Sequence, residues 1–163
     1  MEKIKTDVLK LLTENARYSC KEISMILGVP EDTVSSVISA LEEDGVIVKY
    51  SAILNTEALA EDTVQALIEV KVAPQKLKGF DAYAEEIYSF HEVTSLYLMS
   101  GGFDLAVFVE GKSLTDIAKF VAEKLSIIDG ITSVATHFIL KKYKIEGTVT
   151  KQSEESKRQI VQA

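Results

Sequence analysis

With 163 residues, 47% of them hydrophobic, the chain holds enough apolar material for one medium domain or two small ones with packed cores. Its formal charge of −7 argues against binding nucleic acid by bulk electrostatics, which needs a basic patch to displace counterions. Dividing at residue 60 leaves 6 basic against 10 acidic residues in front and 12 against 15 behind, so neither part is basic. No apolar run reaches the roughly 18 residues needed to cross a bilayer, and residues 1–7 lead straight into an amphipathic pattern, so a cytoplasmic location with no membrane partner is expected. Cys20 is the single cysteine; it excludes an intrachain disulfide or a cysteine zinc cluster, and its place in a helical apolar pattern makes it a core thiol.

The front third reads as three short helices. Ile4, Val8, Leu11 and Leu12 fall at i, i+4, i+7 and i+8 and give one apolar face over residues 3–13. Ser19, followed three residues later by Glu22, has the form of a capping box that opens a second helix near Cys20, with Ile23, Ile26 and Leu27 inward. Gly28-Val29-Pro30 then supplies a left-handed turn and a proline-fixed start for a third helix. There Val34, Val37, Ile38 and Leu41 face inward, leaving Thr33, Ser35, Ser36 and Ser39 outside. Gly45 ends it, and residues 46–54, rich in β-branched and aromatic side chains, predict a strand or wing. Helix, short helix, glycine turn and helix make a helix-turn-helix.

Behind it, Val64, Ala66, Ile68, Val70 and Val72 alternate with polar neighbours across residues 63–73, a half-buried strand stopped by Pro74. Phe80, Tyr83, Ala84, Ile87 and Phe90 mark a helix over residues 77–90. Runs 92–99 and 103–109, joined by Ser100-Gly101-Gly102, form an antiparallel hairpin. Ser113 and Asp116 open a helix with Leu114, Ile117, Ala118, Val121 and Leu125 inward, and Gly130 releases a strand over residues 131–140. The order βαββαβ is ferredoxin-like: two helices cover one sheet face and leave the other for a partner. The fold class expected is α+β, a winged-type helix-turn-helix followed by this domain. Its parts are 1–48 helix-turn-helix, 49–62 linker strand, 63–147 ferredoxin-like domain, and 148–163 a polar tail.

In order and spacing, Leu11-Leu12, Asn15-Ala16-Arg17, Ile23-Ser24, Leu27-Gly28-Val29, Val34, Ile38, Leu41-Glu42, Gly45-Val46-Ile47 and Tyr50 resemble the Lrp/AsnC (leucine-responsive) family of regulators. Val93-Thr94, Ser100-Gly101-Gly102-Phe103-Asp104, the run 105–109, Ile131 and Thr136 are similar to that family's effector-binding and oligomerisation (RAM) domain; the resemblance spans residues 3–147. It implies a homo-oligomer, dimers built by pairing sheets and able to reach an octamer, and a small effector such as an amino acid bound between dimers. By position the effector residues are Ser100, Gly101, Gly102, Phe103, Asp104 and Thr136. Glycines expose backbone amides to a carboxylate, and an aspartate can accept from an α-ammonium group; the same residues could instead only shape and cap the hairpin.

The resemblance also implies double-stranded DNA as partner. Thr33, Ser35, Ser36 and Ser39 are the candidates for base edges; Arg17, Lys21 and Lys49, with Lys3 and Lys5, are those for phosphates. The chain departs from the family where an arginine usually precedes the Ile38 equivalent and a glycine the Tyr50 equivalent: here stand Val37 and Lys49. No lysine or arginine occurs from Glu22 through Val48, so binding is expected to depend on several heads acting together. Glu31 and Asp32 can be read as first-turn carboxylates that complement the helix dipole. The alternative is a metabolite-sensing or protein-interaction module whose helix-turn-helix no longer binds DNA strongly. Catalysis on haem precursors, known in proteins resembling this family, would need a working histidine, and His91 and His137 sit in no recognisable motif. No cofactor, metal or catalytic residue is indicated.

Overall fold

The computed structural model describes residues 2–55, 63–73 and 79–150. The chain divides into two compact units, residues 1–53 and 54–163.

In the front unit, α1 (Glu2–Glu14), α2 (Cys20–Leu27) and α3 (Glu31–Glu43) enclose Val8, Ile23, Val34, Val37 and Leu41, with Ile4, Leu11, Leu12, Cys20, Leu27 and Ile38 packed around them. The capping box at Ser19 is complete: its Oγ accepts from the Glu22 amide at 3.2 Å, and its own amide donates to Glu22 Oε2 at 2.8 Å. Gly28, at φ 66°, closes α2 in the left-handed region, and Pro30 caps the start of α3. Gly45, at φ 68°, ends α3 as its spacing predicts; the Val46 amide then returns to the Leu41 carbonyl at 2.9 Å.

Two expectations fail here. Ile26 is 54% exposed, because α2 turns Ile23 and Leu27 inward and Ile26 lies one residue off that line. The strand expected over 46–54, and with it the linker strand from 49, is not formed: residues 48–55 have no regular structure, and Val48 is 88% exposed. β-branched composition suits a ladder but cannot supply the second strand that a ladder needs. The remainder of the linker, residues 56–62, lies outside the described residues.

The rear unit holds a sheet ordered β2-β3-β1-β4, with every neighbouring pair antiparallel. Central β1 (Val64–Val72) pairs with β3 (Leu105–Gly111) from Val64↔Gly111 to Val70↔Leu105, and with β4 (Ile131–Phe138) from Ala66↔Phe138 to Val72↔Ile131. β2 (Val93–Leu98) lies at the other edge. Ala66, Ile68, Val70 and Val72 alternate inward as the sequence requires. They meet Tyr83 and Ile87 of α4 (Phe80–Tyr88), Ile117 and Phe120 of α5 (Leu114–Phe120), and Leu125 of the single π turn Val121–Leu125 that continues α5. The opposite face presents Leu67, Glu69, Tyr97, Phe108 and His137, with no described helix over it. The topology is ferredoxin-like, and the whole is α+β.

Several details depart from the pattern. α4 begins at Phe80, which is exposed in its first turn; Pro74, Leu77 and Lys78 lie outside the described residues. Leu114 is 55% exposed and Ala118 is exposed too, while Phe120 and Ile128 join the core, because the buried line of α5 runs through Ile117, Phe120 and Leu125. β3 starts at Leu105, which leaves Phe103 and Asp104 in the connecting turn. β4 ends at Phe138 rather than Leu140; the Ile139 amide makes its last bond, to the Gln65 carbonyl. Beyond it, β5 (Lys144–Ile145) and β6 (Thr148–Val149) form a hairpin through Glu146 and Gly147, both at positive φ, across the point where the polar tail was expected to begin. Residues 151–163 of that tail lie outside the described residues. No helix of the described residues is long and apolar enough to cross a membrane.

Candidate functional site

On the front unit, the outward line of α3 is Asp32, Ser35, Ser36 and Ser39, at i, i+3, i+4 and i+7, all exposed. The spacing is that of the buried line Val34, Val37, Ile38 and Leu41, turned to the far side of the helix. Ser36 Oγ donates to the Asp32 carbonyl at 2.8 Å. Thr33 is half-buried on the flank. Arg17, in the turn before α2, and Lys21, in its first turn, are exposed, as is Lys49 after α3. Three of the four expected base-edge residues, Ser35, Ser36 and Ser39, therefore share a helix face, Thr33 does not, and the expected phosphate residues lie outside the helix. Lys5 is drawn toward Asp44 at 3.9 Å. Tyr50 donates its hydroxyl to Glu42 Oε1 at 2.9 Å; burial first, and this bond second, push its phenol above the ordinary range.

On the rear unit, the turn 99–104 joins β2 to β3 and is closed by the Met99 amide on the Asp104 carbonyl at 2.8 Å. Asp104 is pinned further: its amide donates to the Val70 carbonyl at 3.0 Å, and its Oδ2 accepts from the Val72 amide at 2.9 Å. It thus ties the turn to the end of β1. Ser100, Gly101 and Gly102 are exposed and Phe103 is half-buried. Neither Gly101 nor Gly102 has a positive φ, and a Cβ added at either would meet nothing within 4 Å. The subunit itself does not require glycine there. Thr136, expected to face this turn, stands on β4 opposite Ile68, with β1 between it and β3. Two strand spacings, about 10 Å, separate the two strands, so Thr136 does not join the turn within one subunit.

A cleft of about 560 Å³ lies at the other end of the sheet, lined by residues that include His91, Glu92, Gly111, Lys112, Lys119 and Lys124. Glu92 Oε1 accepts from Lys124 Nζ at 2.6 Å, and that ammonium lies 5.6 Å from the centre of the Phe90 ring. Burial, the largest single effect, raises the Glu92 carboxyl, but the hydrogen bond and charge of Lys124, with a backbone hydrogen bond and the neighbouring His91, together hold the group below its ordinary range. Sequence reasoning missed this pair; 32 residues separate the partners, and no short spacing signals it.

Residues 65–149 match the family model described as Lrp/AsnC ligand binding domain, and residues 1–48 match a winged helix-turn-helix DNA-binding model. The chain is 44% identical over 157 residues to the HTH-type transcriptional regulator YugG of Bacillus subtilis, covering 96% of this chain and 95% of that one. It is 34% identical to the HTH-type transcriptional regulator LrpA of Pyrococcus abyssi, covering 84% and 94% of the two. Solved structures share the fold. A Neisseria meningitidis transcriptional regulator in complex with L-Met superposes with a TM-score of 0.70 at 24% identity, covering 89% and 93% of the chains. Escherichia coli AsnC does so with 0.69 at 20% identity, covering 93% and 99%. An amino-terminal helix-turn-helix and a ligand-binding domain of this type, joined in this order over nearly the full length of such relatives, make the chain a transcriptional regulator of the Lrp/AsnC family.

Proposed function

We propose that this regulator binds double-stranded DNA as a homo-oligomer and that an amino acid, bound between copies at the Ser100 to Asp104 turn, tunes its assembly and DNA affinity. DNA binding falls to residues 1–48, effector binding and assembly to 63–147, with 49–62 as the connection, and the regulator works in the cytoplasm. The observation that carries the effector reading is the pair of glycines that the subunit does not need: open space over Gly101 and Gly102 leaves their backbone amides approachable from outside. A related fold holds L-Met in the Neisseria meningitidis protein, which supports an amino-acid ligand here. Thr136 contributes only across a subunit boundary, in keeping with an effector lodged between copies.

Each head binds weakly, because its recognition helix carries no cation and Arg17, Lys21 and Lys49, with Lys3, all lie off that helix. Several heads on one duplex raise the effective concentration and make the contact adequate. A mobility-shift titration of the intact chain against its own upstream DNA at low and physiological salt tests this, with calorimetry against a panel of amino acids alongside. A low-salt shift that weakens steeply with salt is expected. Amino-acid binding without any shift would overturn the DNA part and favour a metabolite-sensing module, the reading suggested by the absence of any basic residue between Glu22 and Val48.

A further inference from the structure

The face of α3 offered to DNA carries one carboxylate and three serine hydroxyls and no cation. The commonest specific protein–DNA contact, arginine or lysine on guanine O6 and N7, is closed to it, because no basic residue lies on the helix. Asp32 opens the outward line in the first turn of the helix and accepts only. The Ser36 hydroxyl spends its proton on the Asp32 carbonyl, so it too offers only lone pairs outward. In the major groove, base donors are the amino groups of cytosine (N4) and adenine (N6). Adenine carries the acceptor N7 beside its amino group, which repels a carboxylate; cytosine has only a C–H there.

We infer that Asp32 is a specificity-determining residue that reads the N4 amino group of a cytosine in each half-site, with Ser36 as a second acceptor beside it. This rests on the DNA-binding reading of the front unit. It replaces the reading of Asp32 as a helix-dipole carboxylate alone. An Asn at that position would present a donor and an acceptor together, the arrangement that pairs with adenine N6 and N7.

The test begins by enriching random duplexes on the intact protein and measuring affinity for the selected site. Replacing the read cytosine by 2-pyrimidinone, which lacks the amino group, is expected to weaken binding about tenfold, and 7-deazaguanine substitution to change it little. Asp32→Asn is expected to lose that cytosine preference and gain adenine at the same position, with unchanged helix content by circular dichroism confirming its fold. Enrichment of sites in which no cytosine amino group matters, or a tenfold loss with 7-deazaguanine, overturns the assignment of Asp32 while leaving DNA binding intact. Failure to enrich any duplex at low salt overturns the DNA-binding reading itself, and the inference with it.

Discussion

Among the described residues, the core cluster of the front unit holds five buried side chains and that of the rear unit thirteen. The smaller core positions a helix whose working side is hydroxyls and one carboxylate, held by local caps at Ser19, Gly28 and Gly45. The larger core supports a turn whose geometry depends on long-range bonds, Asp104 to Val70 and Val72, 34 and 32 residues apart in sequence. One unit is specified locally and presents its chemistry on a helix face; the other is specified by sheet register and presents its chemistry at a strand end.

The largest effects come from cutting into each core. Ile23→Ala and Ile68→Ala each remove a fully buried branched side chain and cost about 2–5 kcal/mol. In urea denaturation followed by hydrogen exchange, Ile23→Ala is expected to strip protection from the helices of residues 2–43, and Ile68→Ala from the strands of residues 64–138. Loss of protection spread equally over both units by either variant would break the distinction between them.

Next comes a contrast within the turn. Asp104→Ala strands the Val72 amide and costs about 1–3 kcal/mol, whereas Gly101→Ala is close to neutral for folding, since its Cβ meets nothing and its φ is ordinary. Gly101→Ala is expected instead to weaken amino-acid binding in calorimetry. A strongly destabilised Gly101→Ala would show that the glycine serves the hairpin. In the front unit, Ser19→Ala removes half of the capping box and costs about 1 kcal/mol by thermal unfolding.

Acid acts on both units in one direction. Glu22 is held below its ordinary range by the Ser19 amide first and the Ser19 hydroxyl second, and Glu92 by Lys124 against the opposing effect of burial. A carboxyl depressed in the folded state contributes stability that is present above its unfolded pKa and lost as pH falls through its folded one. Urea midpoints should therefore fall as pH drops through the acidic carboxylate range, less steeply in Glu92→Gln than in the unaltered chain. An unchanged slope in that variant would remove Glu92 from the acid response. Smallest of all, Arg17→Ala is expected to lower the slope of log affinity against log salt by about 1.

Much of this fold was legible because its signals are short-range. Ser19 with Glu22, Gly28 and Gly45 each mark a helix end within one turn, and the alternation from Val64 to Val72 marks the central strand. The failures share one cause, information lying elsewhere. Residues 46–54 have strand composition but find no described partner. A uniform helical period through α5 put Leu114 and Ala118 inward, whereas the buried line runs through Phe120, and beyond the π turn Ile128 joins it. Of the candidate site, the turn residues and the α3 hydroxyls could be named from order and spacing, but Thr136 could not be placed without knowing that β1 runs between it and the turn. Asp32 was hidden by its own plausibility as a first-turn carboxylate, and the hydrogen bond that turns the Ser36 proton inward, onto the Asp32 carbonyl, is not written in the spacing.

The most direct test of the central claim, that a weakly cationic head works through effector-tuned assembly, is mass photometry of the intact chain on its selected duplex with and without an amino-acid panel. DNA-bound particles are expected to hold two or more copies, and at least one amino acid to shift their mass distribution along with the fraction of DNA bound. Single copies bound to DNA, or a distribution that no amino acid moves, would contradict that claim.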